Sequence, residues 1–318
     1  MPPADTEVST ERRAIRVLPP LVAAQIAAGE VVERPASVVK ELLDNAIDAG
    51  SVRIEVELEQ GGLELVRVTD DGAGIPPEEL ALALAAHATS KVRDASDLDR
   101  VTTMGFRGEA LASIASVSRL TIRSRTARHA GASAIDSEGD RLSEVRPAPG
   151  PVGTSVTVRN LFFNTPARRK FVRTPATEQG HCADAVRALA LAHPAIGFVL
   201  RAEGRPLIDV PPGQGPRERA LALLGREFSS QYAEAHADSF DDARGVALWG
   251  LVGLPVLAKP TPRSQHVFVN GRPVRDRTIQ HALKDAYRGL IEPAKHPSAV
   301  LMLVLDPGAV DVNVHPAK

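Results

Sequence analysis

Ser37-Val38-Val39-Lys40-Glu41-Leu42-Leu43-Asp44-Asn45-Ala46-Ile47-Asp48-Ala49-Gly50 is the stretch on which the fold turns. At 3.6 residues per turn, Val39, Leu42, Leu43, Ala46 and Ile47 fall on one apolar face. Glu41, Asp44, Asn45 and Asp48 recur at i, i+3, i+4 and i+7 and line the opposite face. Ser37, following Pro35, is the expected N-cap, and Gly50 is a C′ residue able to take positive φ. Two readings fit the polar stripe. It is a solvated face, or it is a metal–phosphate site in which the Asn45 amide oxygen meets a hard cation and Glu41 serves as a nearby base. The stripe has carboxylates and an amide but no basic partner within one turn on the same side, and like charges at this spacing repel by about 0.2–0.5 kcal/mol per pair.

Outward from this helix, the preceding residues 21–33 read as helical, with Ala27-Ala28-Gly29 permitting close packing. Residues 1–16 are polar and read as a mobile arm. Downstream, Val52, Ile54, Val56 and Leu58 alternate with charged residues, Gln60-Gly61-Gly62 signals a turn, and residues 63–69 alternate again. This predicts a hairpin over 52–69. It runs into Asp70-Asp71-Gly72-Ala73-Gly74, an acidic turn or a glycine loop where backbone passes close to something flat.

Residues 78–87 read as a helix, and 88–108 as a glycine-bounded candidate lid. Gly105-Phe106-Arg107-Gly108 opens a helical run over 109–115, which is a simple helix start or an anion-facing N-terminus with Arg107 as a charged fork. Residues 117–125 and 153–159 are expected strands, with the polar segment between them a surface loop. Asn160 to Phe171 packs Arg168, Arg169 and Lys170 between aromatics, as a solvated loop or an interface. A helix over 177–193 and a hairpin over 197–210 follow. Val210-Pro211-Pro212-Gly213-Gln214-Gly215-Pro216 is the clearest linker. A second α/β unit then shows helices over 217–226 and 277–290 and strands near 246–252, 266–270, 299–305 and 310–314. Between Arg263 and Arg288 six basic residues, Arg272, Arg275 and Arg277 among them, stand against Asp276 and Asp285. This is the strongest basic patch.

The 318 residues carry a formal charge of −1, so any nucleic-acid surface must be local. Cys182 is the only cysteine, which excludes a disulfide framework and reads as a small core residue. No apolar run is long enough to span a bilayer, and the N-terminus lacks the apolar core of a signal peptide; the composition reads as a soluble, cytosolic protein. There is no P-loop, and Gly72-Ala73-Gly74 lacks the third glycine of a dinucleotide fingerprint.

The order of E-x-x-x-N on a helix, D-x-G-x-G after a strand, G-F-R-G-E-A-L and then Gly153-Thr154 on a strand resembles the GHKL ATPase superfamily. Residues 25–50, His87 to Lys91, Gly105 to Ser113, Asn164 to Phe171 and Val312 to Lys318 look more closely like the MutL family of DNA mismatch repair proteins. That resemblance covers about residue 15 to the end. It implies a GHKL (Bergerat) α/β sandwich, with an antiparallel or mixed sheet, over 17–210. A linker at 211–216 and a smaller, ribosomal-protein-like α/β domain over 217–318 complete the implied architecture. It implies ATP and Mg²⁺, with Glu41 as general base and Asn45 as the metal-holding residue. Asp70 would accept a hydrogen bond from the adenine amino group, Gly72 and Gly74 would admit the base, and Thr154 would back it. Thr89, Arg107, Gly108 and the amides up to Leu111 would cover the phosphates, and Lys318 would reach the γ-phosphate.

Arg277 matches a family DNA-contact position, with Arg272 and Arg275 beside it. The implied partners are double- or single-stranded DNA, a MutS-type mismatch recognition protein, a second copy paired through the first domain on ATP binding, and a MutH-type nuclease or helicase. No membrane is implied; action would be cytoplasmic, at the nucleoid. The family continues past the last lysine with a further strand and a C-terminal dimerisation domain, so the chain reads as truncated at 318. A nucleotide-switched scaffold with incidental turnover is the alternative function. A topoisomerase ATPase subunit is a further one, against which the Asn164–Lys170 and Val312–Lys318 signatures argue.

Overall fold

The computed structural model describes residues 17, 20–86, 88–89, 108–139, 141–241 and 244–306. The predicted arm at 1–16, most of the 88–108 segment and the strand near 310–314 lie outside them. The helix at the heart of the sequence, α2 (Pro35–Asp48), follows α1 (Pro20–Val31). Its N-cap is Arg34, not Ser37, because Pro35 stands at the first helical position, where a missing N–H costs nothing. Gly50 takes the left-handed conformation just past the end, with φ 74°. Arg168 donates to the Gln25 carbonyl at 2.6 Å through the space Gly29 leaves open, so this glycine of α1 permits close packing.

A nine-stranded mixed sheet receives α2. Its strands are β1 (Arg53–Glu59), β2 (Leu65–Asp70), β3 (Arg119–Arg125), β4 (Ala132–Glu138), β5 (Arg141–Leu142), β6 (Arg146–Ala148), β7 (Gly153–Arg159), β8 (Gly197–Ala202) and β9 (Arg205–Val210). They lie in the order β5-β4-β3-β7-β2-β1-β8-β9, with β6 also on β4; among the described residues the β1–β8 pair alone in this sheet runs parallel. Alternation decides the faces. Ile54, Val56, Leu58, Val66, Val68, Leu120, Ile122, Val156 and Val158 are buried beneath α2 and α6 (Pro175–Ala192). The opposite face is polar and partly exposed, tied across strands by Arg67–Glu57 at 2.9 Å, Thr69–Ser155 at 2.9 Å and Thr121–Asp136 at 2.7 Å.

Among the described residues the second sheet has five strands, in the order β10 (Tyr232–Asp241), β11 (Arg244–Gly253), β14 (Ala299–Leu305), β12 (Gln265–Val269) and β13 (Arg272–Val274). It is covered on both sides. Val300 and Phe268 pack with Ala220 and Phe228 of α7 (Pro216–Ser229), whereas Ala299, Leu301 and Val267 pack with Leu283 of α8 (Arg277–Ala286).

Several expectations are corrected. The 78–87 helix is a 3-10 turn followed by only α3 (Leu80–Ala83). The expected loop between residues 125 and 153 contains β4, β5 and β6. Strands β10 and β13 are additions to the sequence-based expectation, and Asn270-Gly271, with φ 49° and 78°, is a hairpin turn joining β12 to β13. Leu161 and Phe162 are fully buried instead of lying in a solvated loop, and the basic residues that follow form α5 (Pro166–Phe171). The proline-rich stretch after β9 is pinned by Arg219, itself fully buried. Its guanidinium donates to Gln214 and to the carbonyls of Ala190, His193, Pro194, Ile196 and Pro211 at 2.6–3.3 Å. Those carbonyls include the C-terminal turn of α6, where a cation is favourable.

A candidate nucleotide site at one end of the first sheet

Asp70 ends β2 on the covered face, in line with Val66 and Val68. Its carboxylate accepts the Gly72 N–H at 2.9 Å and lies directly across the ladder from Thr154 of β7. Burial pushes the Asp70 carboxyl up from the ordinary range, and hydrogen bonds from the Gly72 and Thr154 amides and the Ser51 hydroxyl only partly offset this. A carboxylate so placed is a fixed acceptor in a low-dielectric corner, suited to an exocyclic amine. Ser124 organises the backbone behind it. Its hydroxyl accepts from Ile75 N–H at 2.7 Å, contacts Thr154 Oγ1 at 2.9 Å and donates to the Gly153 carbonyl at 3.0 Å.

The glycine loop after Asp70 is stitched to the end of α2. Asp71 accepts the Val52 and Arg53 amides at 2.8 and 2.9 Å, and Ala73 N–H donates to the Ala49 carbonyl at 3.0 Å. A side chain at Gly72 would strike Ala49 and Ser51 at 2.8 Å, and one at Gly74, where φ is +75°, would reach the Arg125 carbonyl at 2.1 Å. Both glycines are therefore demanded by the chain's own packing. This fixes Asp70 relative to the helix that carries Glu41 and Asn45.

On α2, Glu41 and Asn45 are half-buried, one turn apart. Asp44 is not on a solvated stripe: it is 2 % exposed. Nor does the stripe lack a basic partner, since Lys40 Nζ donates to Asp44 Oδ2 at 2.8 Å and lies 3.9 Å from Glu41 Oε1. The i,i+4 spacing of Lys40 and Asp44 was the available signal. Ser51, Asp71 and Ser124 carried no comparable mark; their partners come from turn geometry and strand pairing.

Gly108 packs against the Ala88 backbone and precedes α4 (Ala110–Ser116), with Thr89 exposed next to Ala88. The Leu111 side chain faces the core, leaving its amide for any outward role. Arg107 and Lys318 lie outside the described residues. In the second sheet's domain, Arg275 and Arg277 are exposed, the latter beginning α8 behind the Asp276 N-cap, whose carboxylate accepts Ile279 N–H at 2.9 Å. Arg272 is half-buried on β13, and its charge bears on Lys40 across the junction.

Sheet order, E-x-x-x-N helix and stitched D-x-G-x-G loop define an ATPase domain of the GHKL type. Residues 33–145 match the family model described as histidine kinase-, DNA gyrase B- and HSP90-like ATPase. Residues 220–318 match that of the DNA mismatch repair protein, C-terminal domain. The chain is 51% identical over 313 residues to the DNA mismatch repair protein MutL of Pseudomonas aeruginosa (strain LESB58), spanning 97% of this chain and 49% of that protein. Among solved structures, the Aquifex aeolicus MutL ATPase domain complexed with ADP is 30% identical, with a TM-score of 0.67, over 87% of this chain and 94% of that one. The N-terminal domain of a DNA repair protein, 24% identical with a TM-score of 0.79, shares the fold. This chain belongs to the MutL family of DNA mismatch repair proteins. It spans about half the length of the curated relatives it matches.

Proposed function

We propose that this chain binds ATP at the Asp70–Glu41 end of the first sheet and hydrolyses it slowly. Nucleotide state would then govern pairing of two first domains and a clamp-like grip on DNA and repair partners. The observation that carries the reading is the stitching of Asp70 to α2. It holds an adenine-amine acceptor and a helix bearing Glu41 and Asn45 in one fixed frame.

Asp70 accepts from the adenine amine, with Gly72, Gly74 and Thr154 shaping the base end. Glu41 takes the proton from the attacking water onto its carboxylate as the bond from the γ-phosphorus to the ADP oxygen breaks. Thr89, Arg107, Gly108 and the amides to Leu111 cover the phosphates, and Lys318 stabilises the charge that develops there. Asn45 supplies one hard oxygen. A hard cation such as Mg²⁺ would be held there by the Asn45 oxygen together with oxygens of the nucleotide phosphates and water. When bound, Mg²⁺ neutralises phosphate charge.

Arg275 and Arg277, with Arg272 at the junction, would meet phosphates of double- or single-stranded DNA, giving salt-sensitive binding with little sequence preference. A MutS-type recognition protein, a second copy of the chain and a MutH-type nuclease or helicase are the partners that fit. The family membership supports a cytoplasmic setting; no described helix is long and apolar enough to cross a membrane. In the second reading, bound nucleotide switches partner and DNA binding while turnover is incidental. DNA affinity compared with ATP, ADP and a non-hydrolysable ATP analogue decides. Equal affinity in all three removes nucleotide control, and a change with the analogue alone favours the switch.

A further inference from the structure

Lys40 stands on the same helix as Glu41 and Asn45, yet the mechanism above leaves it without a role. Its ammonium lies between two carboxylates, 2.8 Å from Asp44 Oδ2 and 3.9 Å from Glu41 Oε1. The two acids differ sharply in setting. The Asp44 side chain is 3% exposed and that of Glu41 27% exposed. Asp44 Oδ1 is buried with no hydrogen-bond partner, so the Lys40 contact at Oδ2 compensates a costly buried carboxylate.

We propose that Lys40, anchored by the buried Asp44 carboxylate, is a positioning residue that orients the Glu41 carboxylate for its work as base. This deepens the proposed ATPase reading and rests on it. The geometry answers a chemical difficulty. A cation in full contact with a general base would suppress its basicity, whereas one held at a longer distance can orient the carboxylate and leave it basic. Asp44 takes the closer contact and most of the charge, so Lys40 steers Glu41 from a longer distance. His193, at the end of α6, has its Nε2 buried without a hydrogen-bond partner and feels the charges of Asp44 and Asp48, though burial wins and lowers its pKa. Lys40 itself is pressed down by burial, but Asp44 and Glu41 outweigh that, and Arg272 opposes them from β13. The ammonium therefore stays charged.

The test is steady-state ATP hydrolysis by wild type, Glu41→Ala, Lys40→Met, Lys40→Arg, Asp44→Asn and the Lys40→Met/Asp44→Asn double variant. Melting temperature serves as the folding control. Lys40→Met should lower kcat about tenfold with KM for ATP within about twofold. Lys40→Arg should recover most of that loss, because the role needs a cation and not a particular shape. Asp44→Asn should also lower kcat, by freeing Lys40 to close on Glu41, and should add nothing once Lys40 is gone. Wild-type kcat in Lys40→Met, or multiplying losses in the double variant, overturns the proposal. If Glu41-dependent hydrolysis is present and Lys40→Met matches wild type, only this inference fails. If wild type shows no Glu41-dependent hydrolysis, the ATPase reading fails and takes the inference with it.

Discussion

The two sheets treat their faces in opposite ways. The first covers one face with α2 and α6 and leaves the other to cross-strand ion pairs and hydroxyl contacts such as Arg67–Glu57 and Thr69–Ser155. Its candidate chemistry gathers at one end of the covered face, where Asp70 comes into line with buried Val66 and Val68. The second sheet packs apolar side chains against α7 on one side and α8 on the other, and its charged residues, such as Glu234 on β10 and Arg272 on β13, lie outside those clusters. A one-sided sheet can seat a small polar ligand at the rim of its core. A two-sided sheet can only offer its outer surface.

If that division is right, the largest effect belongs to the rim. Asp70→Ala should weaken ATP binding by about 100-fold in calorimetry, the loss of a buried charged hydrogen-bonding partner worth roughly 2–3 kcal/mol. DNA binding measured without nucleotide should be unchanged. Next comes the joint between the sheets. Arg219→Met strips a buried cation from the carbonyls of Ala190, His193, Pro194, Ile196 and Pro211. It should cost about 3 kcal/mol in denaturant unfolding, because those acceptors remain buried. A negligible cost would mean the two sheets are not mechanically joined there.

The outer surface of the second domain should respond more weakly and separately. Arg277→Glu is expected to reduce duplex affinity about tenfold at low salt and to flatten its salt dependence, with ATP affinity unaltered. Unchanged DNA affinity would remove that residue from the interface. The smallest effect concerns His266 on β12. Burial holds its pKa down to about 4, with Arg187 and Arg275 adding to this and Asp184 opposing it. The folded imidazole stays neutral while the unfolded one takes a proton below its ordinary 6.5. Stability should therefore be level above that value and fall between 6.5 and about 4. His266→Asn should remove about 1 kcal/mol of that decline, since the ring is only half-buried.

The same contrast explains what could be read in advance. Alternation in residues 52–69 and in β7 revealed a sheet with one wet face, and the polar spacing of α2 placed Glu41 and Asn45 together. The run Ala299–Leu305 was legible as a strand because it is apolar throughout, and its first three residues are buried between the two covering layers. Strands β4 to β6 were not, since Ala132–Glu138 alternates small and polar residues near a sheet edge and short partners follow. Asp44 was misplaced for a different reason. Periodicity gives a direction around the helix, but whether that direction meets solvent depends on α6 and His193, which arrive from 130 or more residues away in sequence. Arg219 shows the limit most clearly. Its partners are nearly all backbone carbonyls, and these have no signature in side-chain sequence.

The measurement that bears most directly on the central claim is ATP binding and Mg²⁺-dependent hydrolysis by wild type and Glu41→Ala side by side. Both proteins should bind ATP with similar affinity, and only the wild type should release phosphate. Loss of binding in Glu41→Ala, or phosphate release at the wild-type rate, would contradict that claim.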